Sequence, residues 1–267
     1  MNIEAVTNEI KLVASRISNQ KLWVITENAF KEAFKMTFIH KYYAFKFFLA
    51  ASYKALKALA KYFKESFQAK GIKGILIEAP IRAKNKAVEK INQFWKDWKS
   101  MDEKERFDKL LGYVVFGISA VITGGGFDFE GGIPDTDIKL GGIGSHRNLL
   151  SHTIIIGFIS EFAIRFVTQL AVEAEKEEIA ENLPFIKLLA EFSRKYQDYL
   201  VNGMWFGLFV HFLKDSKIFS SSRTKPYVGL KNLTVKQHKQ IFAANAFTSM
   251  AFSVGKANHN KRLKSSS

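Results

Sequence analysis

Apolar residues recur at spacings of three and four along most of this chain, and a 3.6-residue period predicts helices. Phe45, Phe48, Leu49, Leu56, Leu59, Phe63 and Phe67 follow one helical face, while Lys54, Lys57, Lys61 and Lys64 follow another. Gly71-Ile72-Lys73-Gly74 and Pro80 predict a break. A basic helix then runs through Arg82, Lys84, Lys86 and Lys90 to Trp95 and Trp98. Ser100 followed three positions later by Glu103 has the capping-box pattern, so a helix start and a domain boundary are expected there. Beyond it the pattern predicts an apolar helix over about 107–122, a glycine-rich loop over 124–144 and a helix over about 147–172. A helix over about 184–214, carrying a break, and a last helix over 234–254 follow. The five glutamates within 173–181 read as a solvated helix end, and 220–226 as a loop. With only four prolines, the expected fold class is all-α. The expected domains are a basic amphipathic helical region over 1–100, a second helical domain over 101–256 and a basic flexible tail over 257–267.

Composition narrows the class. At 267 residues and 47% hydrophobic content the chain can bury a real core. The absence of cysteine removes disulfides, thiolate metal sites and cysteine nucleophiles, and fits a reducing compartment. Forty Lys+Arg against 25 Asp+Glu give a net charge of +15, which favours an anionic partner: phospholipid, nucleic acid or a phosphorylated substrate. The N-terminus lacks the basic region and apolar run of a signal peptide. No unbroken apolar stretch reaches about 18 residues, the usual span length. The nearest candidates are interrupted by Gly124-Gly125-Gly126, by Glu161, or by Asn202 and His211, and they read as buried helices of a globular core. A cytoplasmic location, with a peripheral position on the inner face of the membrane, is the matching expectation.

Chemistry concentrates in two places. Asp135 and Asp137 alternate in an extended loop surrounded by eight glycines, so both carboxylates can turn toward one cation. His146 and His152 follow closely, with Arg147 between them, whose planar fork suits a phosphate or carboxylate. Far downstream, His211 and Asp215 lie four apart and share a helix face. Their neighbours Trp205, Phe206, Leu208, Phe209 and Phe212 make an unpartnered polar pair costly. Each half also has a plainer reading: a polar surface loop with a capping Asp, or an imidazole bonded to the carboxylate one turn on. Gly203 and Gly207 on the same face would let another helix approach closely. Glu161 and Arg165, opposite His152 around their helix, are expected to pair with each other.

The order Gly132-Ile133-Pro134-Asp135-Thr136-Asp137, His146-Arg147 with Ser151-His152, and Gly207 to His211 to Asp215 resembles the YdjM-like family of membrane-associated metal-dependent hydrolases. The resemblance covers about 107–216 and leaves the basic first hundred residues unexplained. It implies that Asp135, Asp137, His146, His152, His211 and Asp215 hold one or two divalent ions, zinc or manganese before magnesium because imidazoles contribute. It implies a cation-activated water as nucleophile, Arg147 steadying an anionic transition state and Asp137 or Asp215 as general base. The family commonly has a His directly after the Asp pair, where this chain has Ile138, and often one in the first apolar helix, where Gly112 and Tyr113 stand. A Gly often follows the His-Arg pair, and here it is Asn148. Asp128 and Glu130 are candidate substitutes.

The favoured expectation is therefore hydrolysis of a phosphoester, phospholipid or another membrane-borne substrate. Between Lys31 and Lys70 nine lysines and eleven aromatics stand against two acidic residues, a composition suited to an anionic membrane surface. The rival class is a non-enzymatic membrane-binding or membrane-disrupting effector with a structural Asp/His cluster. Nucleic-acid contact is permitted by charge but unspecific, since no recognised binding motif occurs.

Overall fold

The computed structural model describes residues 3–126, 131–136, 147–219, 226–230 and 232–254. All regular structure among the described residues is helical, as the apolar period predicts. The helices are α1 (Ile3–Arg16), α2 (Asn19–Phe34), α3 (Lys41–Lys73), α4 (Ala79–Ser100), α5 (Glu103–Gly124), α6 (Ile154–Lys176), α7 (Pro184–Ser216) and α8 (Val235–Val254). Two π-helical segments, Lys35–His40 and Gly74–Glu78, join α2 to α3 and α3 to α4. The break expected at 71–80 is thus a change of helical pitch. Pro80 is the second residue of α4, directly after the π-helical segment.

The chain forms two compact units, residues 46–111 and the remainder. The boundary expected near residue 100 falls inside the first of these, because α1 and α2 belong to the core of the larger unit. Val13, Ile17 and Ile25 are buried there with Leu170, Ala171 and Ala174 of α6 and Ile186 and Ala190 of α7. A second cluster joins Val201, Met204, Trp205, Leu208 and Phe212 of α7 to Ala246 and Phe252 of α8. α7 therefore runs unbroken through both cores. The interruption expected within it does not occur: Gly203 and Gly207 serve as contact surfaces and leave the helix intact. A Cβ at Gly203 would overlap the Phe116 carbonyl oxygen, and one at Gly207 would overlap that of Ala120. The close approach of α5 to α7 depends on both.

Glu161 and Arg165 pair as expected, but inside the protein. The Glu161 carboxylate accepts from Arg165 Nη2 at 2.8 Å, from Trp205 Nε1 at 2.7 Å and from Thr37 Oγ1 at 3.3 Å. Arg165 also pairs with Glu32 on α2. These bonds satisfy charges that burial would otherwise make expensive, and they fix the register of α2, α6 and α7.

The long apolar helices depart from expectation. α5 and α6 are long and apolar enough to cross a membrane, and only 33% of the apolar window of each is buried. Val114, Ile118 and Ile122 of α5 and Ile155 and Ile159 of α6 are exposed, so neither helix is the fully buried core element that its composition predicts.

At the start of α5 the cap is Asp102, whose Oδ1 accepts the Glu105 N–H at 2.7 Å, in place of the Ser100–Glu103 box. The glutamate-rich end of α6 is solvated, with Glu175 bound to Arg194 and Glu177 to Lys21.

Candidate metal centre

The centre is built where α5 ends, α6 begins and α7 reaches its last turns. Gly132, at φ +83, is packed so closely on the end of α5 that a Cβ would overlap the Thr123 carbonyl oxygen. The Ile133 N–H donates to the same oxygen at 3.2 Å. The short loop is thereby tied to α5, and the Gly131 N–H orients the Asp135 carboxylate through Oδ2 at 2.9 Å.

The segment leading into α6 is a turn where the sequence predicted helix. Arg147 has φ +67, and Asn148 Oδ1 accepts from the N–H groups of Leu150 and Ser151, each at 2.9 Å. That local side-chain bonding competes with helix, so α6 starts only after Thr153, whose hydroxyl caps the Ile155 N–H. His152 is consequently held in a fixed turn, fully buried, two residues ahead of the helix. His211 and Asp215 share one face of α7 as their spacing predicted.

These elements bring four site residues together. The His152 Nε2 lies 3.2 Å from Asp135 Oδ1 and 3.7 Å from Asp215 Oδ2. The His211 Nε2 lies 3.7 Å from Asp135 Oδ1 and 3.7 Å from Asp215 Oδ2. The simpler arrangement, His211 hydrogen-bonded to Asp215, is absent at that distance. Asp135, His152 and His211 form a group that can hold a metal ion, with ligand atoms all within 4.8 Å of one another. Four ligands around a tetrahedral ion with bonds of about 2.0 Å stand roughly 3.3 Å apart, close to the separations seen here.

Proton placement makes the case chemically. His211 Nδ1 faces the Gly124 carbonyl oxygen at 3.3 Å, an acceptor only, so Nδ1 carries the hydrogen. Burial pushes the His211 pKa below its ordinary value, against the opposing pull of Asp215 and Asp135, which favours the neutral ring. A neutral ring protonated at Nδ1 presents a bare lone pair at Nε2. Among the described residues, that atom and Asp215 Oδ2 are both buried with no hydrogen-bond partner. Two acceptors, turned toward further acceptor oxygens, form an arrangement that can take a cation. Ser151 Oγ, 2.8 Å from His152 Nδ1, and the Gly124 carbonyl supply the outer bonds that orient metal-binding imidazoles.

Arg147 meets a carboxylate, one of the two partners its planar fork suits. Its Nη2 donates to Asp215 Oδ1 at 2.5 Å, and its guanidinium lies over the Phe242 ring at 5.4 Å. It therefore holds one oxygen of Asp215 and leaves the other directed at the imidazoles. Asp137, His146, Ile138, Asp128 and Glu130 lie outside the described residues, as does the tail 257–267.

Residues that spacing did not single out complete the centre. Tyr227 Oη donates to the His152 carbonyl at 2.8 Å, and its ring stacks on Phe242 at 4.2 Å. His238 Nδ1 accepts the Tyr227 N–H at 3.3 Å, and the Val228 N–H donates to the Arg147 carbonyl at 3.2 Å. Asn245 Oδ1 accepts the Ile154 N–H at 3.0 Å. The 226–230 strap and α8 thus clamp the turn that bears Arg147 and His152. Burial, then the nearby Asp215 charge, raises the Tyr227 pKa, so its hydroxyl stays a donor. No signal in the sequence pointed to Tyr227, and Phe242 and Asn245 were covered only by the expected last helix, 234–254.

Neither models of protein families, nor curated proteins, nor solved structures match this chain.

Proposed function

We propose that the chain is a metal-dependent hydrolase of phosphoesters, with Asp135, His152, His211 and Asp215 as the described ligands. The observation that carries this reading is the pair of buried acceptor atoms, His211 Nε2 and Asp215 Oδ2, which have no hydrogen-bond partner among the described residues and face the same space as His152 and Asp135. Mixed imidazole and carboxylate donors favour zinc or manganese over magnesium. When bound, such an ion supplies Lewis acidity and an acidified water at neutral pH. The four described ligands suit one ion; a second would need donors such as Asp137 and His146.

The protein's own groups divide the remaining work. Arg147 fixes Asp215 Oδ1 and leaves Oδ2 as its ligating oxygen, so the base for the attacking water falls to Asp137, the other carboxylate the resemblance implies. The Gly124 carbonyl holds the His211 imidazole in the ligating tautomer, and Ser151 Oγ meets His152 Nδ1 and orients that ring. Net charge of +15 draws anionic substrates, and the exposed apolar helices favour a membrane-borne phosphoester such as a phospholipid. The resemblance to the YdjM-like family supports the same class.

The test is turnover of a chromogenic phosphodiester by the zinc- or manganese-loaded protein beside a His211→Ala variant of equal helicity. Loss of turnover in the variant is expected, and full activity sinks the assignment. The exposed aromatic and apolar side chains of α3 and α4 favour a second reading, a non-enzymatic membrane effector. It predicts that vesicle leakage by the His211→Ala variant equals that of the parent.

A further inference from the structure

The unit over residues 46–111 lies largely outside the stretch that carries the metal-ligand motifs, and its surface has its own chemistry. Its helix α4 is exposed along almost its whole length. Ile81, Val88, Ile91 and Trp95 fall on one face at spacings of seven, three and four, with Phe94 and Trp98 beside them. Val88 is 44% exposed, Ile91 53% and Trp95 51%, values that belong to polar surface positions. The opposite face carries Arg82, Lys86, Glu89, Gln93 and Lys96. In the same unit, Leu56 and Phe67 of α3 are exposed at 66% and 53%, on a helix whose other side carries Lys54, Lys57, Lys61 and Lys64.

Two features decide what covers these faces. First, residues 46–111 contain 16 Lys+Arg against 8 Asp+Glu. A second copy of the chain would bring two such basic surfaces together, whereas an anionic surface meets them with opposite charge. Second, the apolar face ends in two tryptophans, Arg82, Lys86, Lys90 and Lys96 stand away from it, and Lys84 and Lys99 lie at the stripe, where long side chains reach up to phosphates from a helix in the plane of a lipid headgroup layer.

We propose that α4, with the lysine-flanked apolar face of α3, is a docking surface for an anionic phospholipid bilayer, the α4 stripe lying at the level of the headgroups and the lysines reaching the lipid phosphates. This inference stands independently of the metal reading.

The test is flotation of the full chain with phosphatidylcholine vesicles, with and without about 30% phosphatidylglycerol. An Ile91→Ser/Trp95→Ser variant, which alters only exposed positions, and a His211→Ala variant are run beside the parent. The parent and His211→Ala float with the anionic vesicles only, and raised salt releases them. The stripe variant loses binding by about tenfold or more while keeping its helicity and its bound metal. Equal flotation of the stripe variant overturns the proposal. So does a parent that ignores both vesicle types and forms a dimer abolished in the stripe variant, which would make a second copy the occupant. Loss of metal from His211→Ala without loss of flotation separates failure of one reading from failure of the other.

Discussion

Replacing Gly207 by alanine tests how the fold constructs the centre. A Cβ at this position overlaps the Ala120 carbonyl oxygen and stands 2.9 Å from both the Gly124 nitrogen and the Thr123 Cβ. Ordinary contact begins near 3.4 Å, and the obstacles are mostly backbone, so α5 must retreat by half an ångström or more. That retreat lengthens the 3.3 Å bond between His211 Nδ1 and the Gly124 carbonyl to about 3.8 Å, beyond hydrogen-bond reach. Overpacking of this kind costs about 1–3 kcal/mol, and backbone obstacles place it at the upper end. The better helix propensity of alanine offsets about 1 kcal/mol of it. A net loss of about 2 kcal/mol corresponds to a fall in Tm of roughly 4–8 °C for a chain of this size. Loss of the outer bond to a ligating imidazole lowers metal affinity by about 10–100-fold. Thermal unfolding of the metal-free protein and a zinc titration against a chromophoric chelator read the two effects separately. An unchanged zinc affinity together with an unchanged or higher Tm would refute the reasoning.

Other residues give independent checks. Tyr227→Phe deletes only the hydroxyl that holds the His152 carbonyl, so zinc affinity should fall about tenfold while helicity stays as it is; equal affinity by the same titration would remove Tyr227 from the centre. Arg165→Met leaves the Glu161 charge buried beside Trp205 and should cost about 3–5 kcal/mol, whereas Glu161→Met/Arg165→Met should regain much of that. If denaturant unfolding shows the double variant weaker than the single one, the pair is not the coupled unit described here. His211, with its folded pKa below 6.5, binds fewer protons when folded than when unfolded. The stability of the metal-free protein is therefore complete above about pH 6.5 and declines as pH falls below it. A Tm that stays level, or rises, between about pH 7 and pH 5 would contradict the neutral imidazole.

Much of the fold was legible in the apolar period, and the departures have local causes. α7 was expected to carry a break, yet it runs whole, and Gly203 and Gly207 face α5, where the contact they permit outweighs their low helix propensity. α6 was expected to begin near residue 147, but the left-handed Arg147 and the side-chain bonds of Asn148 delay it to Ile154. The first helices read as part of a basic region because the lysine-rich stretch that follows them sets the composition of residues 1–100. The buried positions Ile25, Ala29 and Ala33 are too few and too small to announce a shared core. In the centre, residue type and order marked Asp135, His152, His211 and Asp215 well. Spacing alone could not show that Arg147 holds Asp215, nor that Tyr227 of the 226–230 strap and Asn245 of α8 clamp the turn.

The most direct test of the central claim is elemental analysis of the protein purified without an affinity tag, beside a His211→Ala/Asp215→Ala double variant. The account predicts near-stoichiometric zinc, manganese or iron in the parent and none in the variant, with both equally helical. Two equally folded proteins, both without metal after exposure to these ions, would contradict it.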